Sequence, residues 1–267
     1  MVKNVLITIC GRAGSKGFRN KNLKIFCGRP LSYYSLSAAQ LFMRQRPDLH
    51  VDVALNTDSP LLRETVEQGY PWVEYVSRPD ELCGDTVPKM AVFQQTLSEM
   101  ERRHAMRYDV VIDLDITSPM RQEQDVAGQL AVYEQRGDLD VVFSATDARR
   151  NPWFNQLKVV GDHVEKVIES PYTARQQAPA VYDINASIYV LRRDFLANNT
   201  TGILWDGKCG MYKMFDTGVV DIDSEEDYLL MEAIAQHLYA VYPHFAAIPQ
   251  NIPADDAAGA KESKAQN

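Results

Sequence analysis

Nine basic side chains precede the first acidic one, Asp48, and four of them, Arg12, Lys16, Arg19 and Lys21, fall within ten residues. They belong to the run Cys10-Gly11-Arg12-Ala13-Gly14-Ser15-Lys16-Gly17-Phe18-Arg19-Asn20-Lys21-Asn22. Its glycines allow backbone N–H groups to come close to an anion. Cations at this density suit a ligand of high negative charge, and a nucleoside triphosphate with a pyrophosphate leaving group meets that demand. The loop is not a P-loop, because G-x-x-x-x-G-K-[ST] starting at Gly11 would need glycine where Lys16 stands. Nor is it the dinucleotide fingerprint G-x-G-x-x-G, since the spacing is Gly11-x-x-Gly14-x-x-Gly17. Charge and glycine content alone fit a basic surface turn equally well.

Acids supply a second element of chemistry. Asp113 and Asp115, and again Asp221 and Asp223, stand two residues apart. On a strand that spacing puts both carboxylates on one face. Asp221 and Asp223 beside a triphosphate would make a seat for Mg²⁺, which takes a few carboxylates together with phosphate oxygens and water. The alternative for Asp223 is a cap on the helix that follows.

These groups need a frame, and apolar runs alternate with helical patterns along the chain. Strands are predicted at Asn4–Cys10, Val51–Asn56, Val73–Val76, Asp109–Asp115, Asp140–Ser144, Ile184–Leu191 and Phe215–Asp223. Helices are predicted at Leu31–Arg44, Pro60–Gln68, Lys89–Arg103, Gln122–Tyr133 and Ser224–Tyr239, the last with Ser224 as N-cap and Asp227 three residues on. The alternation predicts an α/β fold, a mostly parallel sheet with helices on both faces. Between two core strands, Leu157–Ile168 reads as a hairpin with a glycine turn at Gly161, an excursion within an arm of about residues 152–172. A single domain is expected over residues 1–251, with a disordered tail at 252–267.

The bulk figures narrow the class. The chain has 267 residues and a formal net charge of -8, which after residue 47 rests on 19 basic and 36 acidic side chains. An acidic chain with one basic end is a poor nucleic-acid binder but suits a cationic pocket for a small polyanion. No apolar run is long enough to span a bilayer. The four scattered cysteines form no C-x-x-C pair, so reduced thiols and a cytoplasmic location are expected.

The run G-R-A-G-S-K-G-x-x-x-K-N-L resembles the signature of the acylneuraminate cytidylyltransferases. Asn56-Thr57-Asp58-Ser59, Arg78-Pro79-x-x-Leu82, Thr117-Ser118-Pro119-Met120-Arg121, Asn185-Ala-Ser-Ile-Tyr189 and Asp221-Ile-Asp223 follow in that family's order. The resemblance implies a Rossmann-like three-layer nucleotidyltransferase fold. It also implies that Arg12, Ser15, Lys16 and Lys21 contact the phosphates of CTP, with Asn22 and Arg78 near the nucleotide and Asp221 and Asp223 on Mg²⁺. Lys21, Arg12 and Asp223 are the implied catalytic groups, Asp223 as base or as ligand of the water that serves as one.

Asp115 departs from the family's usual Gln-Pro before Thr-Ser-Pro, and the Asp-Leu-Asp form resembles the branch acting on legionaminic acid. An aspartate accepts only, so it prefers hydroxyls or N–H groups. Asp115, Thr117, Ser118, Arg175, Gln176, Tyr182 and Asn185 are the implied sugar-binding residues, Arg175 pairing with the substrate carboxylate. For Arg175 a loop salt bridge, for Arg78 a solvated surface position and for Asn185 a turn remain the alternatives. The implied reaction is CTP plus a nine-carbon 2-keto sugar acid giving a CMP-sugar and pyrophosphate, in a homodimer joined through the hairpin. Pseudaminic acid and 3-deoxy-octulosonate are alternative acceptors. A dinucleotide-fold oxidoreductase and a non-catalytic nucleotide-binding module are the rivals from other classes.

Overall fold

The computed structural model describes residues 2–14, 18–84, 86–218 and 221–254. Eleven strands and seven α-helices follow one another along them. The strands are β1 (Asn4–Cys10), the short β2 (Ile25–Phe26) and β3 (Arg29–Pro30), β4 (His50–Thr57), β5 (Glu74–Ser77), β6 (Val110–Leu114), β7 (Val141–Asp147), β8 (Leu157–Val160), β9 (His163–Lys166), β10 (Tyr182–Arg192) and β11 (Cys209–Lys213). The helices are α1 (Leu31–Gln45), α2 (Pro60–Gly69), α3 (Lys89–His104), α4 (Asp125–Gln135), α5 (Arg193–Asn198), α6 (Glu225–Val241) and α7 (Pro243–Asn251).

Seven strands form one sheet in the order β11-β7-β10-β6-β1-β4-β5. β1 runs parallel to β4 and β6, β4 to β5, and β7 to β11, while β10 is antiparallel to both of its neighbours. The mostly parallel sheet with helices on both faces is thus as expected. Period-two alternation sorts the core into two layers. Val5, Ile7 and Ile9 of β1 pack into the larger one with α1, α4, α6 and α7, and Leu6 packs into the other with Met90, Phe93, Leu97 and Met100 of α3. The same alternation turns Thr8 and Asp113 toward the α3 side, where they meet at 2.8 Å.

Local chemistry fixes the element ends near the site. Ser59 caps α2, its hydroxyl oxygen accepting from the Leu62 N–H, with Pro60 in the first turn. Ser224 caps α6 in a reciprocal box with Asp227, as the sequence predicts.

Three expectations need correction. Among the described residues of the range Phe215–Asp223 no strand is formed, and the edge of the sheet is instead β11, which ends at Lys213. The chain turns away because Asp216 accepts the Gly218 N–H at 2.8 Å and Gly218 adopts φ 82°, a local turn that competes with a ladder. The strand expected at Ile184–Leu191 is longer, and Asn185 is neither at its start nor in a turn outside it. It lies inside β10, where the pairing with β7 shifts register between Ile184 and Tyr189 and Ala186 is left-handed. The C-terminal region holds a helix the sequence reading omitted, α7, whose Phe245 and Ile248 are buried, and Ile252 beyond it also packs into the core. The hairpin is present as β8 and β9 around Gly161 at φ 61°. Residues 255–267, expected as a tail, lie outside the described residues.

Candidate active site

The carboxyl ends of the parallel strands β1, β4, β5 and β6 deliver Gly11, Asp58, Arg78 and Asp115 to one edge of the sheet. Ligands of open α/β sheets characteristically bind in the crevice at this edge. Here a cavity of about 230 Å³ is lined by Cys10, Arg12, Lys21, Asn22, Arg78, Lys89, Asp115, Thr117 and Asp221, together with apolar residues including Leu82 and Val92.

The basic loop is held in place by its neighbours. Gly11 has no room for a side chain, since a Cβ there would lie 2.5 Å from Leu62 Cδ2 and 2.9 Å from Ile116 Cδ1. The Gly11 N–H donates to the Asn56 carbonyl, the Ala13 N–H to Asp58 Oδ1 and Asn22 Nδ2 to the Arg12 carbonyl. Of the four cations singled out in this loop, Arg12 and Lys21 reach the cavity and Arg19 is exposed; Lys24, just beyond the loop, lies over the Phe18 ring. Lys16 and Ser15 lie outside the described residues.

Lys21 makes the longest connection in sequence. Its Nζ donates to Asp223 Oδ1 at 2.9 Å and to the Ile222 carbonyl at 3.0 Å. Ile222 is buried and its N–H donates to the Thr117 carbonyl, which leaves Asp221 in the cavity wall and Asp223 exposed beside Lys21. Although no strand carries them, Asp221 lines the cavity and Asp223 is paired with Lys21, which also lines it. Burial, then the charges of Asp223 and Asp115, push the Asp221 carboxyl above its ordinary value. Crowded carboxylates of this kind form a donor set suited to a divalent cation. Another acidic group, Asp52, Glu74 and His104, stands near the amino ends of β4 and β5, away from this cavity.

Asp113 and Asp115 do share a face, and both meet Lys89, the first residue of α3. Lys89 Nζ lies 2.5 Å from Asp115 Oδ2 and 3.5 Å from Asp113 Oδ2. Asp115 Oδ1 accepts from both the N–H and the hydroxyl of Thr117. Burial raises the Asp113 carboxyl. For Asp115 burial acts in the same direction, but the Lys89 charge and the hydrogen bonds outweigh it and hold the group below the usual carboxylate range. Burial likewise opposes the Lys89 charge, which Asp115 and Asp113 sustain above the ordinary lysine value. Burial and then the Asp113 charge raise the Cys10 thiol well above normal, which disfavours its reactive thiolate form. Arg78 is buried rather than a solvated surface arginine, and it donates to the Asn56 side chain and carbonyl.

The remaining predicted residues lie in adjoining hollows. Ser118 and Asn185 line a small cavity of about 80 Å³ with Asp147 and Asp183. Asn185 is buried, its Oδ1 accepting from Ser144 Oγ at 2.6 Å. Arg175 lines a third hollow with Asp147 and Asn151 and donates to the Ala148 carbonyl. Tyr182 is exposed, and Gln176 is exposed and lines none of these cavities. Its neighbour Gln177 is the one engaged, accepting from Thr173 and Ala174.

Two residues escaped the sequence reading. Lys89 carried no local motif, although two aspartates on one face required a cation nearby. Arg121, inside the Thr-Ser-Pro-Met-Arg run, is fully buried and donates to the carbonyls of Asp115 and Ser187 and to Ser35 Oγ, tying the cavity walls together.

The model of one protein family, described as Cytidylyltransferase, matches residues 6–237. Among curated relatives, "Post-translational flagellin modification protein B" of Campylobacter coli is 31% identical over 86% of this chain and 94% of its own length. "CMP-N,N'-diacetyllegionaminic acid synthase" of Campylobacter jejuni is 32% identical over 85% of this chain and 93% of its own. Among solved structures, CMP:2-keto-3-deoxy-manno-octonic acid synthetase complexed with CTP superposes with a TM-score of 0.63 at 17% identity, covering 88% of this chain and 99% of that one.

Proposed function

The chain belongs to the cytidylyltransferase family, and from that premise we propose that it transfers CMP from CTP to a nine-carbon 2-keto sugar acid, releasing pyrophosphate. A legionaminic-type acid is the favoured acceptor, because the relative named for that product matches over nearly its full length. The observation that carries the reading is the junction of Lys21 with Asp223 at a cavity that Arg12, Asn22, Arg78, Thr117 and Asp221 also line.

Arg12 and Lys21 offset charge on the triphosphate, joined by Ser15 and Lys16, while Asn22 and Arg78 hold the nucleoside. Ser118, Arg175, Tyr182 and Asn185 face the acceptor, which occupies the two adjoining hollows linked by Asp147, and Thr117 faces it from the wall of the nucleotide cavity. Gln176 and Asp115 were expected to share this task. Gln176 is exposed, and the Asp115 carboxylate is bonded to Lys89 and Thr117. Asp221 and Asp223 would hold Mg²⁺, which when bound supplies positive charge to the phosphates. The acceptor's anomeric hydroxyl attacks the α-phosphorus in line, and positioning and electrostatics carry the rate. Asp223, exposed beside Lys21, is placed to receive the hydroxyl proton directly or through water. The enzyme works in the cytoplasm as a homodimer, with residues 1–251 as its catalytic unit and the exposed hairpin as the dimer arm.

Mass spectrometry of reactions holding CTP, Mg²⁺ and legionaminic, neuraminic, pseudaminic or 3-deoxy-octulosonic acid tests the assignment. A CMP-legionaminate product is expected. Product with none of the four acids would overturn the proposed acceptor class.

A further inference from the structure

Asp115 is implied by the resemblance to face the sugar, but its oxygens and those of Asp113 are already in use. Asp113 Oδ1 accepts from the Thr8 hydroxyl at 2.8 Å, and Asp115 Oδ1 accepts twice from Thr117. Their remaining Oδ2 atoms both point at Lys89. The backing is rigid, since Thr8 and Asp113 lie opposite each other on paired parallel strands deep in the core. The exposed member of the cluster is therefore the cation: the Lys89 side chain is 41% exposed, against 1% for Asp113 and 16% for Asp115.

We infer that Lys89 is a substrate-contacting residue whose ammonium, aimed by Asp113 and Asp115, donates to an anionic phosphate oxygen of the bound nucleotide. An ammonium has three donors. Among the described residues its hydrogen-bonded acceptors are the two carboxylates, one of them at the distance limit of 3.5 Å. Lys89 Nζ also lies 5.1 Å from the centre of the Tyr189 ring, while in the same cavity Arg78 donates to Asn56, Arg12 to the Cys83 carbonyl, and Lys21 to Asp223 and the Ile222 carbonyl. The ligand is the nucleotide, because Lys89 lines the cavity of Arg12, Lys21 and Asn22; Thr117 borders that cavity too, but Ser118, Asn185 and Arg175 line the other hollows. Asp115 then acts on the substrate only through Lys89, as a positioning residue.

This inference rests on the CTP reading above, and titration calorimetry with CTP separates the two. Wild type, Lys89→Met and the double variant Lys89→Met/Asp115→Asn are compared, with circular dichroism as a check on folding. Wild type binds CTP, and Lys89→Met weakens binding about tenfold or more, the loss of one charge-assisted hydrogen bond. The double variant stays equally weak. Unchanged affinity in Lys89→Met, or recovery to wild-type affinity in the double variant, would overturn the contact, since recovery means that Lys89 only neutralises Asp115. If Lys89→Met alone unfolds, the double variant, which leaves Asp115 no uncompensated charge, decides by the same criterion. Failure of wild type to bind CTP would overturn both readings.

Discussion

At the scale of single residues, the site can be probed with little cost to the fold. The Lys21–Asp223 pair is largely solvent-accessible on the aspartate side, and such pairs contribute at most about 1 kcal/mol to stability. Lys21→Ala and Asp221→Ala should therefore leave the circular dichroism spectrum and melting temperature nearly unchanged. Pyrophosphate release should fall on the order of a hundredfold or more, the usual effect of removing one group that stabilises developing charge. A variant that keeps the wild-type rate removes its residue from the catalytic set. Gly11 makes the opposite case. A methyl group there meets Leu62 and Ile116, so Gly11→Ala should cost about 1–3 kcal/mol in urea unfolding. It should also displace the basic loop.

At the scale of elements, two helix starts carry measurable consequences. Ser224 caps α6 directly behind Asp223, and Ser224→Ala should lower stability by about 1 kcal/mol in denaturant titration. Asp125, the first residue of α4, is buried, and burial raises its carboxyl to about 6 from an ordinary 3.8. The native state therefore holds this proton more tightly than the unfolded chain. The stability contribution is complete below the unfolded value and is lost as pH rises through about 6. Asp125→Asn should flatten the fall in stability between about pH 4 and 6, and an unaltered slope would place the titration elsewhere.

Elements were also where the sequence was most legible. β1, α1 and the Ser224 cap were readable because periodicity and cap chemistry are local. The false strand over Phe215–Asp223 shows the limit: alternating apolar residues pointed to a strand, while the Asp216–Gly218 turn and the ladder offered by β7 decided the outcome. At the site, Arg12, Lys21 and Asp221 could be named from motifs. Lys89 could not, since its partners Asp113 and Asp115 lie 24 and 26 residues away.

At the scale of the whole molecule, the β8–β9 hairpin stands out. On one of its faces Leu157, Val159 and Val164 are 64%, 79% and 59% exposed, an unusual arrangement unless another surface covers them. Light scattering should give twice the 30.2 kDa chain mass, and Val159→Asp should reduce it to that of one chain. A wild-type particle of single-chain mass would remove the arm's proposed role. Finally, Lys21 and Asp223 are 202 residues apart yet share a proton-bearing contact. During synthesis the ribosome must therefore release the chain through Asp223 before that link can close. Nascent chains shorter than this would lack the link, and with it the substrate contacts it organises.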